Sequence, residues 1–255
     1  MRLKDQVAVV TGAGSGMGKE IARLFAQEGA HVIAGDLKPD GVNELISELD
    51  GSVSGSVQFQ QVDISNREQA EALIDVAVEK YGRLDILINN AGIMDNMMPV
   101  GELDDELWER VLAVNLTGMM YTCRKAVGIM EKQEGCAKIV NTASVGGLQG
   151  SRAGAAYTAS KFGVVGLTRN IGFQYATKGI RCNAVAPGGV KTNIGLGLRS
   201  IASEFGLERA TAGIGAHIRE GDACEIAHVV LFLASDESSF VNGTVITADG
   251  GWTAF

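Results

Sequence analysis

The chain has 255 residues with 34 glycines, 46% hydrophobic and 20% charged residues, and a formal net charge of −8. Glycine at nearly twice the usual ~7% within otherwise ordinary proportions excludes collagen, coiled coil and disorder and fits one globular α/β domain spanning 1–255. The acidic balance, with no run of five like charges, argues against nucleic acid or an anionic membrane surface as partners, and no apolar run reaches the ~18 residues of a membrane span.

Cys123, Cys136, Cys182 and Cys224 form no Cys-x-x-Cys pair and have no neighbouring histidine. They are expected to be free thiols in a reducing cytoplasm, with no metal site. Met1 to Gln6 is expected to lead directly into the first strand, with no targeting segment before it.

Val7 to Val10 is a short apolar run that ends in glycines, the pattern of a strand buried on both faces. Met17 to Gln27 follows as a helix, with Ile21, Leu24 and Phe25 at helical spacing and Gly29 as its stop. His31 to Gly35 reads as the second strand and Val42 to Leu49 as the next helix. After a Gly/Ser-rich loop at 51–56, the third strand covers Val57 to Val62, and Ser65 with Glu68 makes a capping box for a helix that runs to Lys80 and stops at Gly82. Leu84 to Ile88 is the fourth strand, Asp104 to Glu131 a long helix, and Lys138 to Thr142 the fifth strand. Helix Ala155 to Thr177, strand Arg181 to Ala186, helix Asp222 to Ala234 and strand Thr244 to Thr247 complete the order. Repeated strand–helix–strand units with short loops imply an α/β fold, a doubly wound parallel seven-stranded sheet with helices on both faces.

Thr11-Gly12-Ala13-Gly14-Ser15-Gly16-Met17-Gly18 lies between the first strand and the first helix. Backbone N–H groups and the helix dipole there suit a pyrophosphate, although a tight turn alone would also use glycine. Asp36 ends the second strand 24 residues after Gly12, near the ~20-residue offset of an acid that accepts ribose hydroxyls. A carboxylate there repels a 2′-phosphate, and neither Ser15 nor Leu37 offers that phosphate a cation. The cofactor expected is therefore NAD, with Lys38 as the nearby cation able to relax the choice.

Tyr157 and Lys161 stand four apart on one helix and share a face, where an ammonium favours the phenolate of a general acid/base. An exposed Tyr–Lys pair on an amphipathic helix is the plain alternative for these two residues alone. Taken together, Thr11 to Gly18, Asn89-Asn90-Ala91-Gly92, Asn115, Ser144, Tyr157 to Lys161, Pro187-Gly188 and Ala248-Asp249-Gly250-Gly251 resemble the short-chain dehydrogenase/reductase family, in order and over the whole chain.

That resemblance implies a Rossmann-like fold and an NAD-dependent oxidoreductase that interconverts a secondary alcohol and a ketone. It makes Tyr157 the acid/base, Ser144 the hydroxyl that binds the substrate oxygen, and Asn115 and Lys161 parts of a proton relay. It implies cofactor contacts from Gly12, Ser15, Gly16, Met17, Gly18, Asp36, Leu37, Asp63, Ile64, Asn90, Ala91, Gly92, Tyr157, Lys161, Pro187, Gly188, Val190 and Thr192. Substrate walls are expected from Met94, Met97, Met98 and Val145 to Gln149, and a largely apolar lid from 193–221. Arg152 is expected to be solvent-exposed, although it could meet an anionic substrate.

Two other readings stay open. An NADPH-dependent 3-oxoacyl-[acyl-carrier-protein] reductase would want a basic docking surface, which the net charge of −8 does not suggest. A non-catalytic nucleotide-binding sensor or scaffold would not need Ser144, Tyr157 and Lys161. Finally, helices with apolar or small residues around most of their circumference, and Trp252 and Phe255 at the C-terminus, call for cover by partner chains, and the family resemblance implies that the assembly is a homotetramer.

Overall fold

β-Branched and small apolar residues make the first strand, β1 (Val7–Thr11), buried at every position. The computed structural model describes residues 1–195, 202–212, 215 and 217–254. Six further strands follow: β2 (His31–Asp36), β3 (Ser56–Gln61), β4 (Ile86–Asn89), β5 (Ala137–Thr142), β6 (Ile180–Pro187) and β7 (Val245–Ala248). They form one sheet in the order β3-β2-β1-β4-β5-β6-β7, and every pairing is parallel. The order reverses between β1 and β4, which opens a crevice at the carboxyl ends of those two strands, where ligands bind in doubly wound sheets.

Helices α1 (Gly16–Gln27) and α2 (Asp40–Leu49) cover one face of the sheet together with a later helix, here α8 (Ala223–Ala234). Ile21 and Phe25, Val42 and Leu45, and Ile226 and Val230 are their respective contributions to that layer of the core. The opposite face is covered by α3 (Arg67–Tyr81), α5 (Met119–Met130) and α6 (Ala155–Gln174), through Leu73, Cys123 and Val164 among others. α4 (Asp105–Leu112) precedes α5, and α7 (Glu204–Thr211) lies between β6 and α8.

Most element boundaries fall within one or two residues of those expected, but three expectations need correction. Ser65 does not cap α3: its hydroxyl donates to Asp63 Oδ1 at 2.6 Å. The cap is Asn66, whose Oδ1 accepts the Gln69 N–H at 3.1 Å, while Gln69 Oε1 accepts the Asp63 N–H at 2.8 Å. The long helix from Asp104 is not uniform either, because a π-helical stretch, Ala113–Gly118, separates α4 from α5 and contains Asn115. Lastly, α6 ends at Gln174, and a 3₁₀ turn at Ala176–Lys178 carries the chain to Gly179.

Candidate active site

Two cavities meet at the crevice. The first is lined by Gly12, Ser15, Gly16, Met17, Asp36, Leu37, Asp63, Ile64, Asn90, Ala91 and Gly92 among others, so it collects the expected nucleotide half of the site. The second, about 730 Å³, is lined by Met94, Ser144, Val145, Tyr157, Lys161, Pro187, Gly188, Val190 and Thr192, and shares Met17, Asn90, Gly92 and Thr192 with the first.

The glycine turn is shaped for close approach. Gly12 has φ +65°, and a Cβ on Gly18 would lie 2.0 Å from the Gly12 carbonyl oxygen, so α1 can start this close to β1 only with hydrogen at position 18. Gly18 therefore supports the turn by packing rather than by lining a cavity. Ser15, the residue before α1, makes no side-chain cap bond, which leaves its hydroxyl to the groove. Asp36 Oδ2 accepts the Gly14 N–H at 2.8 Å and Oδ1 the Lys38 N–H at 3.2 Å. These bonds fix the carboxylate at the end of β2, in the wall of the first cavity.

This groove fits a dinucleotide on two grounds. A glycine cradle sits at a helix N-terminus, and the buried Oδ1 of Asn90, which lines both cavities, has no partner among the described residues. The Asn90 Nδ2 is already committed to the carbonyls of Thr11 and Gly12, each at 3.2 Å.

At the chemical end, Tyr157 is 8% exposed and Lys161 is 3% exposed. Burial pushes the Tyr157 phenol up to about 12, opposed by a hydrogen bond with Ser144 and assisted by the charge of Asp95. Burial pulls the Lys161 ammonium down to about 8. Its Nζ donates to the Thr142 carbonyl at 2.7 Å and lies 5.6 Å from the centre of the Tyr157 ring. Ser144 Oγ accepts the Gly146 N–H at 3.0 Å, which orients the hydroxyl beside the phenol.

Asn115 lines neither cavity. Its Oδ1 accepts the Ile93 N–H at 2.8 Å, and its Nδ2 donates to the Ile93 carbonyl at 3.0 Å and to Ser160 Oγ at 3.2 Å. The side chain thus ties the loop after β4 to α6, and the π-helical stretch is what presents it there.

The sequence reading missed Asp95 and expected different surroundings for Arg152 and Trp252. Asp95 is fully buried, and its carboxylate accepts the N–H groups of Gly154 at 3.2 Å and Tyr157 at 2.8 Å. Burial raises its pKa, and those backbone bonds oppose the shift. Arg152, expected in solvent, is half-buried and lines the second cavity; Gln149 lies outside the lining and accepts from Arg152 Nε at 3.3 Å. Trp252, expected to be covered by a partner chain, is 9% exposed within its own chain and lines the same cavity, packed on His217 with ring centres 4.8 Å apart. Of the three methionines expected as walls, Met94 and Met97 line that cavity, whereas Met98 packs with Leu107 and Val111 instead. Phe255 and, from the expected lid, residues 196–201, 213–214 and 216 lie outside the described residues. Within the described part of that segment, Asn193 and Ile194 line both cavities.

A family model described as Enoyl-(Acyl carrier protein) reductase matches residues 12–253. The chain is 48% identical to a 3beta-hydroxysteroid dehydrogenase 2 of Eggerthella lenta, over 99% of this chain and 96% of the relative. It is 42% identical to a 3-oxoacyl-[acyl-carrier-protein] reductase of Thermotoga maritima, over 98% of this chain and 99% of that one. The crystal structure of a levodione reductase superposes with a TM-score of 0.90 at 37% identity, covering 99% of each chain.

Proposed function

The chain belongs to the short-chain dehydrogenase/reductase family, oxidoreductases that bind a nicotinamide cofactor, and on that premise we propose that it is an NAD-dependent enzyme interconverting a ring-borne secondary alcohol and its ketone. The observation that carries this reading is the convergence of Ser144, Tyr157 and Lys161 on one cavity that shares its wall with the glycine-rich groove.

In this proposal Gly12, Ser15, Gly16 and Met17 hold the pyrophosphate, with Gly18 supporting the turn. Asp36 and Leu37 take the adenosine ribose, Asp63 and Ile64 the adenine, and Pro187, Gly188, Val190 and Thr192 the carboxamide side. A bound nicotinamide supplies the hydride donor or acceptor. The protonated phenol of Tyr157, favoured by burial, gives its proton to the carbonyl oxygen as that oxygen gains negative charge, and takes it back in the oxidising direction. Ser144 shares that oxygen through its hydroxyl, stabilising the developing charge. Lys161 keeps a cation near the ring and so eases formation of the phenolate. Asn115 positions the loop after β4 against the helix that carries both residues.

Substrate selection is assigned to Met94 and Val145 and, among the described residues of the expected lid, to Asn193 and Ile194. The ring-borne alcohol is preferred because the 48% identical relative is a hydroxysteroid dehydrogenase. Asp36 weighs against the NADPH-dependent acyl-carrier reductase that the 42% identical relative would suggest. A cytoplasmic location is proposed from the free thiols and acidic charge; no helix among the described residues is long and apolar enough to cross a membrane.

The test is a panel of hydroxysteroids, cyclic alcohols and acyclic alcohols, assayed with NAD⁺ and NADP⁺ separately, beside Tyr157→Phe. The expected result is NAD⁺-dependent oxidation of cyclic alcohols, with kcat in the variant lower by roughly 10² or more. Unchanged turnover in Tyr157→Phe would refute the assignment of the phenol.

A further inference from the structure

The second cavity holds a cation that the chemistry above does not use. Arg152 lines it, as do Met94, Ser144 and Tyr157. Its guanidinium carbon sits 4.1 Å from the centre of the Trp252 ring, and Nε donates to Gln149 Oε1 at 3.3 Å. Its place over an indole that is itself packed on His217, with the bond to Gln149, confines the guanidinium.

A guanidinium has five N–H donors and no acceptor. Among the described residues only the Nε donor of Arg152 meets a hydrogen-bond acceptor, and no carboxylate forms an ion pair with it. The other cations in the same wall are engaged: Lys191 pairs with Asp222 at 3.0 Å, and Lys161 is bonded to the Thr142 carbonyl. Glu220 is the one carboxylate lining this cavity among the described residues; it is exposed to solvent and does not pair with Arg152. Arg152 is therefore an unneutralised charge, half-buried and confined by Trp252 and Gln149, in the wall where the reacting group must sit. A planar carboxylate satisfies the fork of a guanidinium with two parallel bonds, whereas an ester or amide carbonyl brings no charge and a cation is repelled.

We propose that Arg152 is a further specificity-determining residue of this site, and that the substrate is a ketone or secondary alcohol that also carries a carboxylate. The proposal rests on the alcohol–ketone reading above. Trp252 and Gln149 serve as positioning residues, the first through its ring and the second at Nε.

Two measurements test it. Reduction of 4-oxocyclohexanecarboxylate and of its methyl ester by NADH is compared in the unaltered protein, Arg152→Met and Arg152→Lys. The expected ratio of kcat/KM, acid over ester, is at least about tenfold in the unaltered protein, falls towards one in Arg152→Met and is partly kept in Arg152→Lys, the scale of a lost charge-assisted bond. A ratio near one in the unaltered protein, or one that Arg152→Met leaves in place, overturns the proposal. Calorimetric titration of the NAD⁺-loaded protein with cyclohexanecarboxylate and cyclohexanecarboxamide supplies a readout that needs no turnover. Tighter binding of the carboxylate that Arg152→Met abolishes supports the anion site even if neither ketone is reduced, in which case it is the redox reading that fails. Equal binding of the two compounds overturns the anion site and leaves the redox reading standing.

Discussion

The carboxylate of Asp95 accepts the backbone N–H of Tyr157 at 2.8 Å, across 62 residues of sequence. Helix α6 begins after Gly154, which has no side chain to cap it, and Asp95 takes over that task by also accepting the Gly154 N–H. A single buried carboxylate thereby fixes the first turn of the helix that carries Tyr157, and it does so from the loop that carries Met94. Asn96 and Met97, both with φ +55°, bend that loop back on itself immediately after Asp95.

From this arrangement we expect Asp95→Ala to lower stability by roughly 0.5–2 kcal/mol, the usual cost of a lost N-cap. Asp95→Asn separates charge from shape. The groups around the phenol are Ser144, Lys161 and Asp95, with Arg152 and Glu220 elsewhere in the cavity wall. The Asp95 charge raises the Tyr157 pKa, so its removal should move the limb of the kcat/KM profile that reports the phenol to lower pH. An Asp95→Asn profile that overlays the unaltered one would show that the carboxylate acts through shape alone.

The buried lysine predicts a pH dependence of stability. Its folded pKa, about 8, lies below the ordinary value of 10.5, so between these pH values the unfolded chain binds more protons than the folded one. Stability must therefore rise with pH through that window, and the benefit is lost as pH falls through about 8. Lys161→Met removes the titrating group. The stability difference, unaltered protein minus Lys161→Met, is expected to increase from pH 8 towards pH 10.5 in denaturant titrations of the cofactor-free protein. A difference that is flat over that range would mean that Lys161 is not held in a desolvated setting.

Legibility from sequence divides along a physical line. Interactions closed within one turn or one strand–helix junction could be read: Gly82 ends α3 with φ +74° and its N–H on the Val78 carbonyl, and Asp36 stands in the groove wall. The glycine turn and the Tyr157–Lys161 spacing are equally local. Contacts made between distant segments could not be read. Asp95 has no local signature, since the groups it caps lie 59 and 62 residues away. Trp252 reaches the cavity only because the end of the chain folds back over His217 and Arg152. Even the cap of α3 was misplaced by one residue, because the competing bond from Ser65 to Asp63 decides it.

The proposed preference for NAD rests on Asp36 and the bonds that hold it. With Oδ2 on the Gly14 N–H and Oδ1 on the Lys38 N–H, the carboxylate cannot swing away from an added phosphate without losing both. Asp36→Ala should therefore weaken NAD⁺ binding and improve NADP⁺ use together, read as opposite changes in the two values of kcat/KM. If the unaltered protein already turned over NADPH faster than NADH at equal concentrations, the role given to Asp36 would be wrong.

The last prediction concerns assembly. Trp252 is used inside the chain and no longer argues for an interface, but α6 leaves Phe162 47% and Phe173 81% exposed. These two residues are eleven apart, close to three turns at ~3.6 residues per turn, so they lie on one side of the helix. Phe240, between α8 and β7, is fully exposed as well. Asn242, two residues after Phe240, donates to the Gly172 carbonyl at 2.8 Å, so Phe240 and Phe173 belong to neighbouring segments, and we expect a partner chain to cover this apolar surface in a closed, symmetric assembly. Light scattering at micromolar concentration should report about four chains for the unaltered protein, and Phe173→Glu combined with Phe240→Glu should lower that number by placing charge in the covered surface. A monomer that retains full activity would refute the interface argument and leave the chemistry of Ser144, Tyr157 and Lys161 untouched.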